Sequence, residues 1–235
     1  MAIDPDLLLR AYAVGVFPMS DGRDAPDVYW VEPRRRAIIP LDRFHLSRSL
    51  RKAVRSDRFE VSTDRAFAEV VRACAARDDT WINGEIEASY AALHRRGAAH
   101  SMEVWEAGTL VGGLYGVRLG GAFFGESMFS TATDASKVAL AWLVARLKLG
   151  GFVLLDCQFM TGHLKSLGAV EIPQEDYLVL LDSALGGAGE ALFSGAGAGL
   201  GAGAAEFDAL DRLLSELPEG SPPGWVIAQA IGQTS

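Results

Sequence analysis

Residues 121–167 read GAFFGESMFSTATDASKVALAWLVARLKLGGFVLLDCQFMTGHLKSL. Ala122 to Met128 reads as a strand, and Ala135 to Lys148 is an amphipathic run with helical spacing. Gly150-Gly151 stops the helix, and Phe152 to Leu155 is a second, apolar strand. Acidic and amide side chains fall where the strands end. Two strands around one helix make a crevice, which Glu126, Asp156 and Gln158 are expected to line.

Working outward, Ser101 to Trp105 and Leu110 to Leu119 read as further strands, and Gly120-Gly121 is a hairpin signal. Upstream lie helices over Pro5 to Gly15 (Asp4 as cap), Ser47 to Arg55, Asp64 to Arg77 and Glu85 to Arg96, with Gly97 as a C-terminal cap. Short strands are expected at Val28 to Val31, Ala37 to Pro40 and Phe59 to Ser62, and Phe17 to Gly22 reads as a break. Downstream, Gly162 to Leu167 is a short helix and Tyr177 to Leu181 a last strand. Gly186 to Gly203 is glycine- and alanine-rich and is expected to be flexible. Glu206 to Leu217 looks helical, and Trp225 to Ile231 is expected to dock on the body.

The chain has 235 residues, enough for one large domain or two small ones, and nearly half of them are apolar. No apolar run reaches the ~18 residues of a membrane span. The start, Met1 to Pro5, shows no basic leader before an apolar core. Cys74 and Cys157 lie far apart and form neither a metal-ligand spacing nor a disulfide framework, so the expected home is the reduced cytoplasm. The net charge of -8 argues at first against a nucleic-acid partner. Yet Arg34, Arg35, Arg36, Arg43, Arg48, Arg51, Lys52, Arg55 and Arg58 stand against only Asp42 and Asp57. Such a face is compatible with phosphate contacts and equally with a solvated helix surface.

Several side chains carry candidate chemistry. Period-two alternation puts Asp156 and Gln158 on one face and Cys157 on the other, where a buried, inert thiol is expected. Asp156 reads either as a helix cap or as a partner that accepts from the Gln158 amide. Glu126 follows Phe123-Phe124-Gly125 and is a functional candidate if its carboxylate is partly desolvated. His163 reads either as a base or as a packing histidine. No His/Cys/Asp cluster points to a metal. The segment before the 135–148 helix has no glycine and carries Asp134, which argues against a phosphate cradle of the kind coenzyme A needs.

The ordered set Tyr29-Trp30, Thr80-Trp81-Ile82, Gly113 to Val117, Phe124 to Ser130, Ala135-Ser136-Lys137, Asp156-Cys157-Gln158 and His163 to Gly168 closely resembles the bacterial leucyl/phenylalanyl-tRNA–protein transferases. The resemblance covers about Leu7 to Leu181; the glycine-rich insert is unmatched. It implies an α+β fold with a small N-terminal α/β domain (1–97) and a C-terminal N-acetyltransferase-like (GNAT-type) domain (98–181). A flexible segment (182–205) and a docking tail (206–235) follow.

The implied reaction moves leucine or phenylalanine, and methionine less well, from tRNA to the N-terminal Arg or Lys of a protein. The product is an N-end-rule degradation signal. By resemblance, Gln158 contacts the attacking amine, Asp156 holds and polarises Gln158, and Glu126 binds the cationic N-terminal residue. The aminoacyl side chain enters a pocket of Leu114, Phe123, Leu140, Leu143, Leu147 and Leu155. Trp30 and Trp81 lie near the terminal adenosine, and Arg34, Arg35, Arg36, Arg48, Arg51 and Lys52 meet tRNA phosphates. No cofactor, metal or membrane is implied, and the chain is expected to be a monomer. Two other readings fit the residues less closely: a coenzyme-A-dependent N-acyltransferase, and a non-catalytic tRNA or N-degron binding module.

Overall fold

The strands Ala99–Glu106 (β5), Thr109–Leu119 (β6) and Ala122–Ser130 (β7) form an antiparallel run, as the alternation and the Gly120-Gly121 turn require. They are the middle of a seven-stranded mixed sheet in a computed structural model that describes residues 2–56, 58–186, 205–218 and 223–232. Earlier elements are the helices Pro5–Ala13 (α1), Arg48–Arg55 (α2), Phe67–Ala75 (α3) and Gly84–Arg95 (α4), and the strands Phe17–Met19 (β1), Tyr29–Val31 (β2), Arg35–Ile38 (β3) and Glu60–Thr63 (β4). Later ones are the helices Ala135–Leu149 (α5), Gly162–Ser166 (α6), Gln174–Ala184 (α7), Ala209–Ser215 (α8) and Pro223–Gly232 (α9), and the strands Leu154–Asp156 (β8) and Val170–Pro173 (β9). The sheet order is β4-β5-β6-β7-β8-β3-β9, with β1 and β2 paired separately. The fold is α+β.

Alternation along the strands supplies two apolar faces. Met102, Leu114, Phe123 and Leu155 pack on α5, with α2, α8 and α9 beyond it. Tyr115, Val117, Phe124 and Leu154 pack against α1, α3, α4 and α7. Helix α5 is buried nearly all round, which fits a central helix covered on its outer side by the C-terminal helices. Its N-terminus seats on β6 at Gly112, where any Cβ would strike Ala135. Arg146 of α5 clamps the C-terminal segment: it bonds both oxygens of Asp211 and the Phe207 carbonyl.

Three expectations change. Tyr177 to Leu181 is not a strand but part of α7, with Glu175 and Asp176 in its first turn and Tyr177, Leu181 and Ala184 buried at helical spacing. A five-residue apolar run does not by itself separate the two states. The last strand is β9, and β1 occupies the expected break. The expected boundary at residue 97 runs through the sheet: β4, from before it, pairs with β5, and β3 pairs with β8 and β9. Of the segment expected to be flexible, residues 187–204 lie outside the described residues, and 182–184 belong to α7.

Candidate active site

Strands β7 and β8 are parallel, and their last registered pair is Phe124 with Asp156. Beyond it they separate, and a crevice opens at their C-terminal ends, the usual place for a ligand beside parallel strands. Glu126 and Gln158 each lie two residues past that pair. Glu126 is the extra residue of a bulge, because Tyr115 faces Ser127 while Gly116 faces Gly125. A bulge of this kind re-aims a side chain. Gln158 has a φ of 55°, a left-handed conformation uncommon for a residue with a side chain. Asp156 Oδ1 holds that turn by accepting from the Gln158 backbone N–H at 2.8 Å. Ala37 of β3 clamps it from the other side, bonding the Gln158 carbonyl and the Cys157 N–H.

Glu126 is buried, and both of its oxygens accept hydrogen bonds. Oε1 accepts from Tyr12 Oη at 2.7 Å and from Gln158 Nε2 at 3.0 Å, and Oε2 accepts from Tyr90 Oη at 2.7 Å. The two phenol oxygens are themselves 2.6 Å apart. Burial pushes the Glu126 carboxyl up to about 7; the phenol hydrogen bonds hold it down against that rise, Asp156 adds to it and Arg36 opposes it. Sequence reasoning missed Tyr12 and Tyr90. The available signal was a tyrosine on the apolar face of each helix, whose hydroxyl needs a partner once buried.

A cavity of about 500 Å³ opens beside this pair. Of the six expected pocket residues, Leu114, Leu140, Leu143 and Leu155 line it, joined by Met128, Phe129 and Leu164. Phe123 and Leu147 do not: both are fully buried in the core, and Phe123 stacks on Phe207 at 5.7 Å. Trp81 is on the wall; Trp30, on β2 and 42% exposed, is not, whereas Met19 of the paired strand β1 is. His163 lines the cavity with its Nε2 unpartnered, its proton affinity lowered by burial and by Lys137. Cys157, expected to be buried on the opposite face, is half-buried and lines it too: Asp156 and Cys157 alternate, with Asp156 off the wall, and the left-handed Gln158 brings its side chain to the Cys157 side. Burial raises its thiol pKa far above the ordinary value, so it is no thiolate.

Asp156 is fully buried and is not on the cavity wall. Its carboxylate accepts from Arg36 Nε at 2.9 and 3.0 Å, from Arg36 Nη2 at 2.6 Å and from Tyr177 Oη at 3.0 Å. It reaches Gln158 through the backbone, not through the side-chain amide. Arg36 is therefore corrected from a phosphate contact to a buried counter-ion, 1% exposed, with its remaining end on the Gly15 carbonyl. An unpaired carboxylate at this depth would be too costly to keep ionised. Of the other basic candidates, Arg34, Arg48 and Lys52 are exposed, Arg51 is half-buried, and Arg35 is exposed but pairs with Glu171 at 2.6 Å. Among the described residues, no group of three or more His, Cys, Asp or Glu is placed to hold a metal, and no helix is long and apolar enough to cross a membrane.

The arrangement offers an apolar chamber, an anion of raised proton affinity at its edge and an amide bonded to that anion. Comparison with known proteins narrows what such a chamber serves. Residues 38–182 match the family model described as leucyl/phenylalanyl-tRNA protein transferase, and residues 1–34 match that of its N-terminal domain. A protein of Rhizorhabdus wittichii named leucyl/phenylalanyl-tRNA–protein transferase is 63% identical over 251 aligned positions, covering 100% of this chain and 99% of that one. One of the same name from Novosphingobium aromaticivorans is 51% identical over 256, covering 100% and 97%. One from Zymomonas mobilis is 63% identical over 187, covering 78% and 70%. A solved structure described as "The structure of L-PGS from Bacillus licheniformis" has 12% identity and a TM-score of 0.40, covering 75% of this chain and 68% of that one. The chain belongs to the leucyl/phenylalanyl-tRNA–protein transferase family.

Proposed function

We propose that this protein transfers leucine or phenylalanine, and methionine less well, from aminoacyl-tRNA to the N-terminal Arg or Lys of acceptor proteins, creating an N-end-rule degradation signal. The observation that carries the proposal is the contact between Gln158 and Glu126 at the edge of a leucine-lined cavity. Leu114, Leu140, Leu143 and Leu155 take the apolar aminoacyl side chain, and Glu126 draws the cationic acceptor to the ester beside it. The antiparallel β5-β6-β7 run followed by α5 and a parallel β8 supports a GNAT-type catalytic unit, with aminoacyl-tRNA in place of acyl-CoA.

The chemistry needs little activation. An aminoacyl ester is already a reactive acyl donor, and an α-amine with a pKa of about 7.7–8.0 is partly neutral near pH 7. Holding amine and ester in contact then supplies much of the rate. Gln158 aligns the amine, and Asp156 is a positioning residue that acts through the Gln158 backbone and the Arg36 ion pair. Trp81 stacks on the terminal adenine, a contribution of about 1–3 kcal/mol. The exposed Arg34, Arg48 and Lys52 meet acceptor-stem phosphates, giving salt-sensitive, sequence-indifferent binding. We take the working form to be a cytoplasmic monomer.

Labelled Leu-tRNA incubated with a peptide beginning with Arg tests the proposal. Label is expected in the peptide. Its absence while the protein is folded and binds Leu-tRNA would contradict it.

A further inference from the structure

Three oxygen–oxygen contacts join Glu126, Tyr12 and Tyr90 in a ring: 2.7 Å from Tyr12 to Oε1, 2.7 Å from Tyr90 to Oε2 and 2.6 Å between the phenols. Each hydrogen bond needs one proton, and two phenols supply two. The third contact is complete only when Glu126 carries a proton of its own. Ionised, Glu126 accepts from both phenols and from the Gln158 amide. Protonated, Oε2 donates to Tyr90, Tyr90 donates to Tyr12, and Tyr12 and Gln158 both donate to Oε1. Rotation of the two hydroxyls interconverts the states; in the ionised one no proton lies between the phenol oxygens, 2.6 Å apart.

We propose that Glu126 is the proton acceptor for the attacking amine, with Tyr12 and Tyr90 as the positioning residues that accommodate its proton. This rests on the transferase reading above. Gln158 ties the acceptor to the reacting amine, since its Nε2 is on Glu126 and its Oε1 remains to accept from the nucleophile. Asp156 is not available for this work, because Arg36 and Tyr177 occupy its oxygens and it is off the cavity wall. His163 is on the wall, but it has no bond to Gln158 or Glu126 among the described residues.

The lone pair of the neutral amine forms the new C–N bond to the ester carbon, and the C–O bond to the terminal ribose breaks with its electron pair on oxygen. The nitrogen gives its proton to Glu126. The ribose oxygen takes one proton from water, and Glu126 returns its own to solvent before the next turnover.

The groups facing Glu126 fit a proton-exchanging carboxyl. Tyr12 of α1, Tyr90 of α4 and Tyr115 of β6 are buried phenols, none of which ionises near neutral pH because burial raises each. Asp156 of β8 and Arg36 of β3 are opposite charges that neutralise each other, and Arg77, after α3, is bonded to Ser127 next to it. With burial as the largest cause, Glu126 is raised to about 7, close to the amine it serves.

The test is the pH dependence of kcat, measured at saturating Arg-peptide and Leu-tRNA for the native protein, Glu126→Gln and Tyr12→Phe. Glu126→Gln is expected to lower kcat about a hundredfold or more. The acidic limb of the native profile is expected near the Glu126 value and should move to higher pH in Tyr12→Phe, which loses a phenol that holds the carboxyl down. The peptide is the same throughout, so a moved limb belongs to the protein. If Glu126→Gln raises only KM and keeps kcat within about threefold, or if Tyr12→Phe leaves the limb in place, the proposal fails while the transferase reading stands. No transfer by the native protein would overturn both. Should Glu126→Gln not fold, the Tyr12→Phe profile decides.

Discussion

Gln158 Nε2 donates to Glu126 Oε1 at 3.0 Å, although 32 positions separate the two residues. The contact exists because two local departures from regular strand geometry coincide. A bulge in β7 turns Glu126, and a left-handed residue after β8 turns Gln158. Neither departure is free, and each is held by neighbours: Tyr12 and Tyr90 on one side, Asp156 and β3 on the other. Strain held this way at the mouth of a cavity belongs to pre-organisation of a site.

The Arg36–Asp156 pair sets how much of that turn survives mutation. Both side chains are essentially unexposed, at 1% and 0%. Removing one partner strands the other charge, so Arg36→Met is expected to destabilise the fold by about 3–5 kcal/mol in urea titration. Arg36→Lys should recover only part of this, because an ammonium cannot reproduce three directed bonds to one carboxylate. A loss under about 1 kcal/mol for Arg36→Met would show that the pair is not the anchor.

Glu126 predicts a pH dependence of stability with a definite sign. Burial raises its carboxyl from 4.5 to about 7, so the folded state holds the proton more tightly than the unfolded chain. Its contribution is fully present below the unfolded value and is lost as pH rises through the folded one, a total of about 3 kcal/mol. Unfolding free energy should therefore fall between about pH 4.5 and about pH 7. Glu126→Gln should remove most of that fall. Equal slopes in the two proteins would contradict the assignment.

The cavity wall should govern the choice of amino acid. Leu140 lines the chamber, so Leu140→Phe narrows it and is expected to raise KM for Phe-tRNA more than for Leu-tRNA, by roughly tenfold or more. Leu147→Ala is the contrast. Leu147 lies in the core rather than on the wall, so it should lose about 2–5 kcal/mol of stability with the selectivity ratio unchanged.

The strand-helix-strand unit at 121–167 was legible in the sequence because its periods are long and its stops are glycines. Glu126 and Gln158 were legible as polar residues at apolar strand ends. The Arg36–Asp156 partnership was not, since its members are 120 positions apart and Arg36 sits among arginines that do face solvent. Tyr12 and Tyr90 did not stand out, because nothing local shows that two helices bring their hydroxyls to one carboxylate. Helix α7 was misread because five apolar residues in a row satisfy either period. Phe123 and Leu147 were misplaced because core and wall alternate along the same elements.

The basic helix predicts a salt effect. Arg48 and Lys52 are exposed on α2. Replacing either by Ala should weaken tRNA binding for all tRNAs alike and reduce the slope of log affinity against log salt by about 1. KM for the acceptor peptide should not change. An unchanged slope would remove α2 from the phosphate path.

In the proposed reaction Glu126 and Gln158 act as one unit on the attacking amine. The direct measurement is single-turnover transfer from pre-bound Leu-tRNA to saturating Arg-peptide in the native protein, Glu126→Gln, Gln158→Leu and the double variant. If the two side chains form one device, the double variant should be little slower than the slower single variant. A double variant whose loss equals the product of the two single losses would show that they act independently, and the account would be wrong.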